Sequence, residues 1–169
     1  MRKAALLYNP ESGGSGQRLR ELQSALAILR GGGAEAELLP TDSPQHAGEE
    51  AKKAIASGAD TIFACGGDGT IHNIAQVLAG SKIALGVLPM GTANALAHDL
   101  GIPLRIPAAA GAALQGETRS IALGRIAYRD LNGAPGARYF VVAAGMGVDA
   151  HLFYKLHTGT KKRLGMGAY

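Results

Sequence analysis

Six residues, Cys65-Gly66-Gly67-Asp68-Gly69-Thr70, separate two kinds of periodicity. Before them, Thr61-Ile62-Phe63-Ala64 is a short β-rich apolar run, the kind buried on both faces of a parallel sheet. After them, Ile71, Ile74, Ala75 and Leu78 fall at i, i+3, i+4 and i+7, one face of a helix. A turn that carries a buried strand directly into a helix restricts the chain to α/β architectures. The glycines admit positive φ and let a bulky group approach the backbone. The helix start brings unpaired N–H groups and partial positive charge to the same place. That is an anion site, and phosphate is the usual anion. Asp68 stands out, because a carboxylate repels phosphate; it fits a bound cation, a hydroxyl or a buried donor. The plainer reading of the motif is a tight turn whose aspartate caps the helix.

The same strand–glycine loop–helix order occurs twice more. Residues 3–8 form a short apolar strand, followed by Asn9-Pro10-Glu11-Ser12-Gly13-Gly14-Ser15-Gly16. Leu19, Leu22, Leu26 and Leu29 then keep helical spacing up to Gly31-Gly32-Gly33. Residues 36–39 read as a second strand. Ser43 and Pro44 open a helix running through Ser57, with Ala47, Ala51 and Ala54 on its inner face. Residues 60–64 are the third strand and 83–88 the fourth. After the fourth comes Pro89-Met90-Gly91-Thr92-Ala93-Asn94, where Thr92 is placed to cap a helix carrying Ala93, Leu96, Ala97 and Leu100, closed by Gly101 and stopped by Pro103. Pro107 opens a further helix that ends at Gly116. Alternating strands and helices predict a doubly wound, Rossmann-like, mostly parallel sheet, whose strand-end loops share one edge. Asn9, Gly67 and Gly91 should therefore border one cleft. The first loop lacks the Gly-Lys-Ser/Thr of a Walker A loop. Leu19 stands where a dinucleotide fingerprint needs its third glycine.

Beyond Gly116 the pattern changes. Residues 118–128 and 138–144 read as a β-hairpin joined by Asn132-Gly133-Ala134-Pro135-Gly136. Gly145-Met146-Gly147-Val148-Asp149-Ala150 then leads to a basic segment with Lys155, Lys161, Lys162 and Arg163. Two strands and a basic tail do not close a domain. The expected division is an α/β domain over 1–117 and, over 118–169, the incomplete start of a β-rich second domain that continues past Tyr169. Composition narrows the function classes. One cysteine in 169 residues excludes a disulfide framework and points to a reducing, cytoplasmic compartment. No apolar stretch reaches the ~20 residues of a membrane span. A net charge of +4 suits an anionic ligand or surface; with 5% aromatic residues it does not suggest nucleic acid as a partner. The basic tail would suit anionic headgroups or be a solvated face, which places the protein in the cytoplasm, with peripheral contact at the inner membrane surface left open along with a homodimer.

Four of these segments together resemble the diacylglycerol kinase and sphingosine kinase superfamily of lipid kinases. Asn9-Pro10-x-Ser12-Gly13 looks like its first loop and Gly66-Gly67-Asp68-Gly69-Thr70 like its central loop. Leu88-Pro89-x-Gly91-Thr92-x-Asn94 looks like its third loop, and Gly145-x-Gly147-x-Asp149-Ala150 like the entry to its second domain. NAD kinases and phosphofructokinases carry similar central loops; the Pro-x-Gly-Thr-x-Asn segment picks out the lipid kinases. The resemblance implies ATP as phosphoryl donor, Mg²⁺, and a lipid hydroxyl as acceptor. It places Gly66, Gly67, Asp68, Gly69, Thr70, Ile71, His72 and Thr92 on the nucleotide, with Asn9, Ser12, Gly13, Gly91 and Asn94 in the same loops. Thr41 matches a nucleotide contact after the second strand. Asp68 matches a carboxylate that assists acceptor activation or phosphate-site chemistry, and Asp149 would serve the acceptor or cap a helix. Asn73 departs from the pattern, standing where a glutamate is common. The family's Mg²⁺ ligands and, in its bacterial branch, the proton acceptor come from segments expected beyond Tyr169, which would leave this chain alone a poor catalyst. A kinase of a soluble acceptor, such as NAD or a sugar phosphate, and an inactive nucleotide-binding module are the competing readings.

Overall fold

The computed structural model describes residues 1–10 and 16–144. Four parallel strands, β1 (Lys3–Tyr8), β2 (Glu35–Pro40), β3 (Thr61–Gly66) and β4 (Ala84–Pro89), form a sheet in the order β2-β1-β3-β4. The helices are α1 (Gly16–Gly31), α2 (Pro44–Ala56), α3 (Asp68–Leu78), α4 (Ala95–Asp99) and α5 (Ile106–Gln115). A separate antiparallel hairpin pairs β5 (Gly124–Arg129) with β6 (Pro135–Phe140).

The central strands are apolar throughout because both of their faces are covered. All six residues of β3 are buried, as are Ala4, Ala5, Leu6 and Leu7 of β1. Successive side chains point to opposite faces, so each strand serves two layers. Ala5, Leu7, Ile62 and Ala64 pack with Ala47, Ala51, Ile71 and Ile74 of α2 and α3. Ala4, Leu6, Phe63 and Cys65 pack with Leu22, Ala25, Ile106 and Ala109 of α1 and α5. Alanine on the inner face of α2 lets that helix lie close to the sheet. Gly86 of β4 does the same for Phe63, whose ring occupies the space a Cβ would take. Burying each of the larger side chains contributes about 1.5–3 kcal/mol. Ser43 caps α2 as expected, its hydroxyl accepting the His46 N–H at 3.1 Å.

The register brings the strand ends flush. Tyr8 lies opposite Pro40 on one side and Cys65 on the other, Cys65 opposite Leu88, and Gly66 opposite Pro89. β2 lies on one side of β1 while β3 and β4 lie on the other, so the winding reverses between β1 and β3. Ligands of open α/β sheets bind at the carboxyl edge beside such a reversal.

Two local expectations are corrected. Thr92 caps no helix: α4 begins only at Ala95, behind Asn94, which is left-handed at φ 46°, ψ 44°. The hairpin is shorter than 118–128 with 138–144: its first strand starts only at Gly124, and its second already starts at Pro135 and ends at Phe140. The Asp130 carboxylate accepts the N–H groups of Asn132 and Ala134 at 2.9 and 2.8 Å, closing the turn on itself. Pro135 and Gly136, expected in the turn, therefore enter β6, with Pro135 at its first position, where a missing N–H is tolerated.

Candidate functional site: the glycine edge of the sheet

α3 starts at the reversal point with Gly67 as its N-cap, extended at φ −92°, ψ −171° and lacking a side-chain cap. The described glycines of this edge, Gly66, Gly67, Gly69 and Gly91, therefore do not use the positive φ that the sequence suggested. The described glycines that use it are Gly33, Gly58, Gly80, Gly101 and Gly133. What the edge needs is room. A Cβ on Gly91 would lie 2.5 Å from Gly67 Cα and 2.9 Å from Asn94 Oδ1, and one on Gly67 would lie 3.0 Å from Gly91 Cα. Thr70 fills the space over Gly66. Gly69 is different: a Cβ there would meet nothing within 4 Å. The fold itself does not require glycine at 69, and the space above it is open. The first intrahelical bond of α3 is Ile71 N–H to Gly67 O at 3.2 Å, and Thr70 N–H reaches the same oxygen at 3.0 Å. The amides of Asp68 and Gly69 precede that bond and lie at the positive end of the helix dipole. Open space over a glycine, with helix-start amides beside it, fits a phosphate group.

Asp68 is the first residue of α3 and does not cap it. Its Oδ1 accepts the backbone N–H of Ala95 at 2.8 Å, across 27 residues of chain. The carboxylate thus takes the buried-donor option among those its sequence position allowed. Asn94 closes the third loop by a two-way bond: its Oδ1 accepts Gly91 N–H at 2.8 Å and its Nδ2 donates to Gly91 O at 2.9 Å. Asparagine tolerates the left-handed backbone this requires better than most residues. Met90 N–H donates to Gly66 O at 2.9 Å, and Arg18 Nη1 donates to Met90 O at 3.0 Å. The central and third loops form one unit, and α1 is tied to it.

Asn9 lies on the same edge, its Nδ2 making a long 3.5 Å contact to Asp42 O; Thr41 N–H donates to Tyr8 O at 2.7 Å. The structure thus brings Asn9, Gly66, Gly67, Asp68, Gly69, Thr70, Gly91, Thr92 and Asn94 to one edge, as the alternating pattern implied. Thr41 is only 1% exposed and lies beneath this edge. Ile71 is buried in the core and its N–H is committed to Gly67, so it presents no side chain to the cleft. His72 is influenced by Arg138 of β6; burial, and then that guanidinium, hold its pKa below the usual histidine range. Burial pushes the Cys65 thiol up, which fits an inert core residue beside the motif. Ser12, Gly13 and Asp149 lie outside the described residues, as does the basic segment.

Sequence reasoning missed Arg18 and Gln76. Arg18 carried a signal: a cation in the first turn of a helix opposes the dipole and needs another reason to be there. Gln76 carried none, because its partner, Tyr139, lies 63 residues away. Among the described residues no three His, Cys, Asp or Glu side chains gather as a metal site. Asp68 is the carboxylate of the glycine loop, and one of its oxygens is engaged. These residues do not by themselves make a Mg²⁺ site, which takes near-octahedral oxygen coordination.

A doubly wound parallel sheet with a helix-starting glycine loop at its reversal point defines an α/β protein of the Rossmann-like type. The chain belongs to the diacylglycerol kinase catalytic domain family, whose model matches residues 3–126. It is 36% identical over 149 residues to a diacylglycerol kinase of Mycobacterium tuberculosis, covering 88% of this chain and 47% of that protein. To a diacylglycerol kinase of Bacillus subtilis it is 35% identical over 172 residues, covering 100% of this chain and 54% of that protein. The crystal structure of a diacylglycerol kinase from Bacillus anthracis superposes with a TM-score of 0.66 at 26% identity, covering 82% of this chain and 45% of that one. The chain spans about half the length of the relatives it matches.

Proposed function

We propose that this chain is the nucleotide-binding part of an ATP-dependent lipid kinase that transfers the γ-phosphoryl group of ATP to the hydroxyl of a lipid alcohol such as diacylglycerol. The observation that carries the reading is the open space over Gly69 at the start of α3, on the reversal edge of a sheet of this family. There the amides of Asp68 and Gly69 would receive phosphate oxygens, each charge-assisted bond contributing about 1.5–3 kcal/mol. Gly66, Gly67, Thr70 and Thr92 would border the phosphates, with Asn9 across the cleft and Thr41 beneath it; Ser12 and Gly13 are proposed as further nucleotide contacts. Gly91 and Asn94 act by holding the third loop in shape. The second oxygen of Asp68 would meet the acceptor hydroxyl or phosphate-site water, while its first keeps the loop in register. Asp149 is assigned to the acceptor side. In this reading residues 1–117 are the nucleotide domain and 118–169 begin the acceptor domain. Mg²⁺ would neutralise charge on the phosphates, as phosphoryl transfer requires.

No helix among the described residues is long and apolar enough to cross a membrane. The lipid is proposed to be met at the surface of an anionic cytoplasmic leaflet. The test is calorimetric titration of ATP with and without Mg²⁺ on this chain, followed by labelled phosphate transfer by the full-length gene product from ATP to diacylglycerol vesicles, NAD and a sugar phosphate in parallel. Transfer to the vesicles alone is expected. Transfer to a soluble acceptor, or nucleotide binding without any transfer in the full-length gene product, would replace this reading.

A further inference from the structure

α3 begins at the glycine edge and, two turns later, carries Gln76. The Gln76 side-chain amide meets the backbone of one residue in the hairpin from both sides. Its Nε2 donates to Tyr139 O at 2.8 Å, and its Oε1 accepts Tyr139 N–H at 2.8 Å. Nε2 also donates to His72 O at 3.0 Å, so both amide hydrogens and the carbonyl are used. This is the exchange of two N–H···O bonds that one strand residue makes with its neighbour in an antiparallel ladder. A helix side chain here takes the place of a third strand. Around it the contact is sparse. An open groove of about 490 Å³ runs between α2, α3 and the hairpin, lined by Glu49, Lys52, Asn73, Val77 and Arg138 among others.

We propose that Gln76 is a positioning residue: it sets where the hairpin, and the acceptor-side structure that follows it in the chain, sits relative to the glycine loop at the other end of the same helix. This rests on the kinase reading above, with the hairpin opening the acceptor half. Gln is suited to the task because one planar amide presents a donor and an acceptor side by side. The same helix links both ends, so a shift at Gln76 changes acceptor alignment and leaves the phosphate amides where they are.

The test compares wild type with Gln76→Met, which keeps length and helix propensity but removes both bonds, and Gln76→Glu, which keeps the acceptor but sets a carboxylate against Tyr139 O. Amide exchange and ATP titration are followed in this chain, and phosphoryl transfer in the full-length gene product. Tyr139 exchange should speed up tenfold or more in Gln76→Met and by less in Gln76→Glu, which keeps that N–H's acceptor, while in both the Ile74 and Ala75 amides and ATP affinity stay within about twofold. Transfer should lose kcat at unchanged KM for ATP. Unchanged Tyr139 protection, or a parallel loss of ATP affinity and α3 protection, would overturn the proposal. So would failure of both variants to fold, which would make Gln76 a stability residue. If the wild-type protein neither binds ATP nor transfers phosphate while Tyr139 still loosens, the clamp stands and the kinase reading falls.

Discussion

The two regions of this molecule are held together by different means. In residues 1–117 the sheet is covered on both faces, and its two clusters reach from Ala4 to Ala110. In residues 118–144 no residue is buried. A two-stranded hairpin alone is marginal in water. This one is placed by the Gln76 clamp and by Val141, which packs against the α2–α3 cluster. The difference shows which parts of the site can move. The glycine edge is set by a core that does not involve the hairpin. The hairpin's position is set by the Gln76 bonds on α3 and the packing of Val141.

The largest expected effect separates the regions by stability. Phe63→Ala removes a fully buried ring between α1, α5 and the sheet and should cost about 3–5 kcal/mol. Tyr128→Ala, at a hairpin residue 42% exposed, should stay within about 0.5 kcal/mol. Urea unfolding measures both, and comparable losses would show that the hairpin shares the core after all.

A second pair of substitutions tests whether the edge is shaped for the protein or for a ligand. Gly91→Ala places a Cβ 2.5 Å from backbone that cannot yield cheaply and should cost about 1–3 kcal/mol along with ATP affinity. Gly69→Ala meets nothing and should leave the melting temperature unchanged while still weakening ATP. Equal ATP affinity in wild type and Gly69→Ala would place the phosphates elsewhere.

Asp68 can be divided the same way. Asp68→Ala leaves the Ala95 N–H without its acceptor and should cost about 1–3 kcal/mol. Asp68→Asn can still accept through Oδ1, so stability should fall by less than about 1 kcal/mol while phosphoryl transfer drops by orders of magnitude. A thermal melt and a transfer assay on both variants separate the joint from the charge. If Asp68→Asn transfers phosphate at the wild-type rate, the carboxylate is a joint and nothing more.

These contrasts also show what the sequence could reveal. The parallel sheet was legible because strands buried on both faces must be apolar, and the runs at 3–8 and 61–66 are. Which loops meet followed from topology alone. How they meet did not. The Asp68–Ala95 bond and the Gly67–Gly91 contact join residues far apart in sequence, and the backbone angles at Gly67 and Asn94 depend on those contacts. Thr92 was misread as a cap because its hydroxyl stands in a fair position by type. The loop instead turns left-handed at Asn94 to complete its ring with Gly91. The hairpin turn was misplaced because Pro135-Gly136 is a strong local turn signal that the Asp130 side chain outcompetes.

The smallest expected effect lies where the two regions touch. Burial of His72, and secondarily the charge of Arg138, disfavour its protonated form in the folded protein. The unfolded chain protonates this histidine at about pH 6.5. Below that value the unfolded state binds a proton that the folded state refuses, so stability falls as pH drops from 7 toward 5; above it the contribution vanishes. His72→Gln should flatten the slope of the urea midpoint against pH. Arg138→Ala should reduce it in part, since it removes only the secondary cause. Because His72 is one turn from Gln76 and feels the charge of Arg138 on β6, the loss at pH 5 should show first as faster relative exchange at Tyr139, with the β3 amides still protected. A pH-dependent loss of protection that spreads evenly over β3 and β6 would mean that the hairpin and the core unfold as one unit.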